Sequence, residues 1–305
     1  MKPRVLVIKL GALGDFVQAF GPFQAIRAHH PDADITLLTT RPYAELAAAC
    51  PWFDHVWIDD KPKAWNVAGV LKLRKRLSGG GFARVYDLQT SDRSSWYFKL
   101  LGGKPEWSGI APACSHPHAN PDRDLMHTVD RQAEQLAMAG IPGVPPPDLS
   151  WVAADTARFG LPHPYVLLCP GGAPHRPAKR WPATGFAALA VWLAERGITP
   201  VVLGTAKEQD EIDTVTAACP QTVPLAGQTG LLDIVALGRG AMAAVGNDTG
   251  PMHLIAVTGC ASVVLFSHES DPTLCAPRGK VTLLRVPDLA ALPVAEVEGA
   301  LAALT

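Results

Sequence analysis

The stretch Gly246-Asn247-Asp248-Thr249-Gly250-Pro251-Met252-His253 decides how this chain is read. The run before it, Ala241-Met242-Ala243-Ala244-Val245, predicts a short buried strand. The run after it predicts an apolar helix from Pro251 to near Gly259. Proline suits the first helical position, and Asp248 or Thr249 just before it can supply the N-cap. The free N–H groups and positive dipole end of such a helix form an anion site. Gly250, lacking a Cβ, lets a phosphate come close to the backbone. An ordinary capped helix of an α/β protein has the same features, so the meaning of this junction rests on the remainder of the chain.

Working outward, strand-like apolar runs alternate with helical patterns on both sides. The strands expected are 5–10, 35–40, 55–59 and 84–88, then 165–169, 200–204, 222–225, 241–246, 262–266 and 281–286. Helices are expected near 15–29, 42–50, 65–77, 93–101 and 124–139, then 183–196, 207–218, 230–238 and 251–258. Continuous rather than alternating apolar strands, separated by helices, indicate parallel sheets covered on both faces. At 305 residues the chain exceeds what one core usually organises. The proline-rich run Ile141-Pro142-Gly143-Val144-Pro145-Pro146-Pro147 reads as a stiff linker. The fold class is therefore α/β, with two doubly wound, Rossmann-like domains over 1–145 and 150–288 and ligands in a cleft at the strands' carboxyl ends. Segment 289–305, rich in Ala and Leu, is expected to form a helix able to pack back on the first domain.

Composition narrows the function. The chain is 48% hydrophobic and 18% charged with a net charge of −1, which does not favour nucleic acid as a partner. Its six cysteines are scattered and form no C-x-x-C pair, as expected of a reduced, cytoplasmic protein. Met1-Lys2-Pro3-Arg4 followed by apolar residues superficially suggests a signal peptide. Lys9 and Asp15 interrupt that run, so a buried first strand is the better reading. No window has 18 uncharged apolar residues, so no membrane span is expected.

Three further strand-end loops carry chemistry-bearing residues. Lys9-Leu10-Gly11-Ala12-Leu13-Gly14-Asp15 closes the first strand, with Asp15 at a helix start. Asp15 is either an N-cap or a carboxylate placed to accept a proton from a substrate hydroxyl. The loop is not G-x-G-x-x-G, and no ribose-binding acid ends the second strand, so nicotinamide binding is not expected. The stretch from Cys169 to Pro182 contains Gly171, Gly172, His175, Arg176, Lys179 and Arg180. It is either a solvated basic turn or a source of cations for a phosphate. Glu208, after the next strand, is either an exposed first-turn acid or a ribose contact.

Together these features resemble glycosyltransferase family 9, the bacterial lipopolysaccharide heptosyltransferases. Three motifs carry the likeness: the first strand with Gly11–Asp15 and Pro22, Lys179-Arg180-Trp181-Pro182, and Asp248-Thr249-Gly250-Pro251-Met252-His253-Leu254. The resemblance implies a GT-B fold, with acceptor bound mainly by the first domain and nucleotide-sugar by the second. It implies Asp15 as catalytic base and Lys179 as the cation that compensates the leaving phosphate. It also implies Thr249 and Gly250 as the diphosphate turn, with Asp248 on donor sugar hydroxyls or capping the helix. Gly171, Gly172, Glu208 and His253 complete the expected donor side, His253 alternatively being structural. Gly14, Gln89, Ser91 and His127 are expected on the acceptor side. Gly11 and Ala12 stand where the family often carries hydroxyl residues, and Gly171-Gly172 lacks the family's hydroxyl pair; both departures bear on donor and acceptor identity.

The reaction implied is inverting transfer of a sugar, heptose from ADP-heptose, to a hydroxyl of a lipopolysaccharide core or related glycan. The nucleotide-sugar is a substrate, and no cofactor is expected. No metal is expected either, because the helix start and Lys179 supply positive charge. The strings Asp32-Ala33-Asp34 and Asp122-Arg123-Asp124 are read as turn and helix-start residues. From Lys61 to Arg84 the chain carries cations and no acid. That run is either a solvated helix face or an attraction for a glycolipid and the inner membrane surface. The competing readings are a GT-B epimerase or hydrolase of nucleotide-sugars and a non-catalytic nucleotide- or glycan-binding module.

Overall fold

The computed structural model describes residues 2–102, 104–173 and 175–305. Met1, in the N-terminal run, and Pro174, in the loop after the first strand of the second half, lie outside them. The chain divides into two compact units, Met1–Trp151 and Val152–Thr305.

In the first unit the strands are β1 (Arg4–Ile8), β2 (Asp34–Thr39), β3 (His55–Ile58), β4 (Arg84–Asp87), β5 (Glu106–Gly109) and β6 (His116–Pro117). The helices are α1 (Leu13–Val17), α2 (Phe20–His29), α3 (Ala44–Ala49), α4 (Val67–Gly79), α5 (Asp92–Leu100) and α6 (Thr128–Met138). Among the described residues the strands form one sheet in the order β3-β2-β1-β4-β5-β6. All pairings are parallel, with Val5 opposite Ile35 on one side and Arg84 on the other. Leu6, Ile8, Leu73, Leu77, Val85, Tyr97 and Trp107 fill one layer of core against this sheet. The expected helix over 15–29 is two helices, broken at Gln18 and Ala19. Strands β5 and β6 were not expected, since Glu106-Trp107-Ser108-Gly109 has no apolar run.

The second unit repeats the plan. Its strands are β7 (Tyr165–Cys169), β8 (Thr199–Val202), β9 (Val223–Pro224), β10 (Ala243–Asn247), β11 (Ser262–Phe266) and β12 (Val281–Arg285). Its helices are α7 (Ala183–Ala194), α8 (Gln209–Ala218), α9 (Leu231–Gly240), α10 (Gly250–Val257), α11 (Pro272–Cys275) and α12 (Val294–Ala302). The sheet order is β12-β11-β10-β7-β8-β9, again parallel throughout. Each order reverses direction once, between β1 and β4 and between β7 and β10. In a doubly wound sheet that reversal opens a crevice at the strands' carboxyl ends, where ligands bind.

Two boundaries differ from the expected ones. The proline-rich run ends inside the first unit: Trp151 packs on Phe20 and Trp52, with ring centroids 5.6 and 6.0 Å apart. The terminal helix α12 forms, but Leu289, Leu292, Val297 and Leu301 are buried in the second unit's core with residues of α7. Its apolar stripe is used there, within the second unit.

Candidate active site

In the first unit the reversal is framed by the loops after β1 and β4. Leu10 N–H donates to Gln89 Oε1 at 2.7 Å, joining the two loops. Gly11 has φ +123°, and a Cβ there would meet the Tyr43 ring and hydroxyl at 2.8 Å. Tyr43 in turn stacks on Phe16 at 5.1 Å between centroids. The glycine that departs from the family pattern is thus required by Tyr43. The loop leads into α1, whose N-cap is Ala12 with no side-chain cap bond. Asp15 lies in the first turn of α1 beyond the cap, so it is not the N-cap considered from sequence. Gly14 precedes it in the same turn. Among the described residues no hydrogen bond or ion pair takes up the Asp15 carboxylate.

Charges that sequence reasoning left out surround it. Lys9 is buried, and its Nζ donates to Leu88 O at 2.9 Å. Burial lowers its pKa, opposed by the charges of Asp15 and Asp87. Asp87, at the end of β4, accepts from the backbone N–H groups of Gln89 and Thr90 at 3.1 and 3.0 Å. Burial pushes its carboxyl up to about 6, against those hydrogen bonds and Lys9. Arg131 of α6 is within electrostatic reach of Lys9 and Asp15. Burial raises the Tyr43 phenol, and the Asp15 charge raises it further. The sequence signal for this cluster was a lysine and an aspartate ending two adjacent apolar strands.

Beside the loops lies an open cavity of about 660 Å³, lined by Gly11, Tyr43, Arg41, Asp59, Lys61 and Gln89 among others. Of the expected acceptor residues, Gln89 lines it. Ser91 is the N-cap of α5 in a capping box with Ser94. His127 caps α6, its Nδ1 accepting from Val129 N–H at 3.2 Å. Both have structural work that the sequence reading did not foresee.

In the second unit the reversal brings the loop after β7 to the start of α10. Asn247, fully buried, is the hinge between them. Its Oδ1 accepts from Trp181 N–H at 2.9 Å, and its Nδ2 donates to Pro170 O at 2.7 Å and Gly171 O at 3.2 Å. Thr249 is the N-cap of α10 without a side-chain cap bond, and Gly250 and Pro251 open the helix. Asp248 does not cap either. It pairs with Lys179, Nζ to Oδ2 at 2.5 Å, and accepts from Ser270 Oγ at 2.8 Å. His253 Nε2 is 4.0 Å from Asp248 Oδ1. Lys179, Asp248 and His253 are thus gathered at the helix start, with Ser270 as a neighbour that sequence reasoning missed.

Gly171 meets the neighbouring loop, since a Cβ there would lie 3.0 Å from Glu208 Cγ. Glu208 closes a capping box, its Oε2 accepting from Thr205 N–H and Oγ1 at 2.8 and 2.6 Å. Arg180 turns away from Lys179, donating to Gly172 O at 2.6 Å and pairing with Glu211 at 2.7 Å. The Asp-x-Asp strings face side chains of the protein itself: Asp34 pairs with Arg4 and lies 3.1 Å from His55 Nε2, and Asp124 pairs with Arg123 and Arg131. Among the described residues there is no group of three or more His, Cys, Asp or Glu side chains able to hold a metal ion.

Two doubly wound sheets, each with a reversal point at which ligands can bind, match a known architecture. The family model for glycosyltransferase family 9 (heptosyltransferase) matches residues 70–293. The chain belongs to glycosyltransferase family 9. Membership in that family makes it a glycosyltransferase of GT-B fold and favours transfer over the epimerase, hydrolase and binding-module readings. The chain is 33% identical over 137 residues to lipooligosaccharide heptosyltransferase 2 of Haemophilus influenzae, covering 43% of this chain and 39% of that protein. It is 26% identical to Escherichia coli lipopolysaccharide heptosyltransferase 2 over 88% of this chain and 83% of the relative. The solved structure of E. coli ADP-heptose lipopolysaccharide heptosyltransferase II superposes with a TM-score of 0.81 and 24% identity, over 100% of this chain and 98% of the other.

Proposed function

We propose that the protein is an inverting heptosyltransferase. In this reading it moves heptose from ADP-heptose onto a hydroxyl of a lipopolysaccharide core or related glycan. The observation that carries it is the Asp15 carboxylate, in the first turn of α1 at the reversal point of the first sheet and not engaged in capping. Asp15 takes the acceptor hydroxyl's proton as the oxygen attacks the anomeric carbon. The carbon–oxygen bond to the diphosphate breaks with inversion. A base so placed contributes about 10²–10⁴-fold.

The relatives named above act as ADP-heptose or lipopolysaccharide heptosyltransferases, and this supports the choice of donor and acceptor. Thr249, Gly250 and the α10 N-terminus receive the diphosphate, and Lys179 exchanges Asp248 for a phosphate oxygen. Charge developing on the leaving group is stabilised by donors already in position. Asp248, released from Lys179, faces the sugar hydroxyls. Glu208, Gly171, Gly172 and His253 complete the donor side. Gln89, which lines the cavity, serves the acceptor together with Gly14, Ser91 and His127. The helix start and Lys179 supply the positive charge that leaving-group chemistry needs, which supports a metal-independent route. The enzyme works at the cytoplasmic face of the inner membrane, touching it through residues 61–84.

Thermal-shift titration with ADP, UDP, GDP and NADH tests the donor assignment. ADP at 100 times its Kd is expected to stabilise by about 2.7 kcal/mol. Stabilisation by NADH alone overturns the reading.

A further inference from the structure

The strongest unassigned surface is the outer face of α4. Leu73 and Leu77 are buried in the first unit's core, which fixes how this helix is turned. Asn66 caps it, accepting from Gly69 N–H at 3.0 Å, so its first turn is fixed too. The exposed side of the helix presents Val67 and Leu71, one helical turn apart, with Trp65 just before the cap. These three are 64%, 55% and 77% exposed. Residues three and four apart share a helix face, so Arg74 and Lys75 follow Leu71 along the same stripe. Exposed apolar side chains scattered singly are ordinary, but two on one face of a capped helix with a tryptophan just before its cap call for a partner.

Charge says which partner. Lys63 stands over the Trp65 ring, Nζ to centroid 4.9 Å. Lys72, Arg74 and Lys75 are exposed and form no ion pair among the described residues. The segment from Lys61 to Tyr86 contains no acid. Arg76 differs, being held inward over Trp57 and bonded to Ile58 O at 3.1 Å. An apolar stripe flanked by cations outside any ion pair among the described residues is the pattern of a helix lying in a bilayer interface. A protein partner would have to bring a matching acidic, apolar groove; an anionic bilayer offers both properties over any area.

We propose that α4 docks the protein on an anionic lipid surface, with Trp65, Val67 and Leu71 entering the headgroup region and Lys63, Lys72, Arg74 and Lys75 on the lipid phosphates. The inference deepens the membrane contact of the proposed function, by naming the apolar residues that enter. It rests on that reading only for its biological setting.

The test is sedimentation of the full chain with vesicles of phosphatidylcholine alone or with phosphatidylglycerol added, at low and high salt. Binding is expected only to the anionic vesicles, and it weakens as salt screens the cations. Each cation near such a surface contributes about fivefold, so Lys72→Glu with Lys75→Glu should lower binding by at least about 25-fold. Trp65→Ser with Leu71→Ser should lower it by at least about tenfold, with Tm unchanged. Brominated lipid should quench the wild type, and Trp65→Phe should remove that quenching. No binding to anionic vesicles at low salt overturns the proposal, as does binding that ignores the Trp65/Leu71 pair. A dimer broken by those substitutions, without vesicle binding, would assign the face to a second copy instead. ADP binding by the same variants is read separately, so a failed docking face is distinguishable from a failed donor assignment.

Discussion

The two reversal points share a backbone plan and differ in how they hold charge. After β1 and β4, charged side chains are buried at the carboxyl ends of the two central strands while the Asp15 carboxylate stays outside any ion pair among the described residues. After β7 and β10, the two opposite charges that matter are locked on each other, Lys179 on Asp248. The first arrangement suits a base, which must be open to a proton. The second suits a binding site that stays neutral until an anion competes for the lysine. In the proposed reading the same topology gives one crevice for proton transfer and one for charge exchange, and the charged side chains at the strand ends make the difference.

The largest effect should come from removing the base. Asp15→Asn is expected to reduce turnover by about 10²–10⁴-fold in a product-detected transfer assay, with donor affinity unchanged. Loss of ADP binding in that variant would erase the division between the crevices. Next comes the ion pair. Asp248→Ala leaves a largely buried Lys179 without its partner, which costs about 3–5 kcal/mol in denaturant unfolding. Lys179→Met alone should also destabilise. The double variant should lose less than the sum of the two, and additive losses would show that the pair is not coupled.

Asn247→Ala tests how the second crevice is held. It leaves Trp181 N–H and Pro170 O without their side-chain partner, an expected loss of about 1–3 kcal/mol. Unchanged Tm would remove Asn247 from its hinge role. The last test is a pH slope. Asp87 is raised by burial from the ordinary 3.8 to about 6. Between those values the folded protein keeps the proton while the unfolded chain releases it. This group's contribution to stability therefore falls as pH rises from about 4 to about 6. Asp87→Asn should flatten unfolding free energy across that window, and an unchanged slope would contradict the buried assignment.

Much of this contrast was legible in the sequence, for a physical reason. Strands buried on both faces must be apolar throughout, and β1, β7 and β10 end in glycine-containing loops, so these three stand out. Asp15, Lys179 and Asp248 are visible because they interrupt or follow such runs. Strands β5 and β6 are short, with only Trp107 of β5 reaching the core as a large apolar side chain, so their own pattern gives little signal. Pairing was hidden for the same reason. Ser270 reaches Asp248 from 22 residues away, and Lys9 meets the β4 loop across 79, separations that no local pattern encodes. The helix α12 could be foreseen as a helix, whereas the core that takes its apolar stripe could not.

The central claim is tested most directly by incubating the wild type and Asp15→Asn with ADP-heptose, with and without a heptose-deficient lipopolysaccharide core, while measuring ADP release, glycan mass and ADP affinity. The account predicts acceptor-dependent ADP release and a gain of one heptose by the wild type. For Asp15→Asn it predicts undiminished ADP affinity and no product. Normal turnover by Asp15→Asn, or ADP release without any glycan gaining mass, would contradict it.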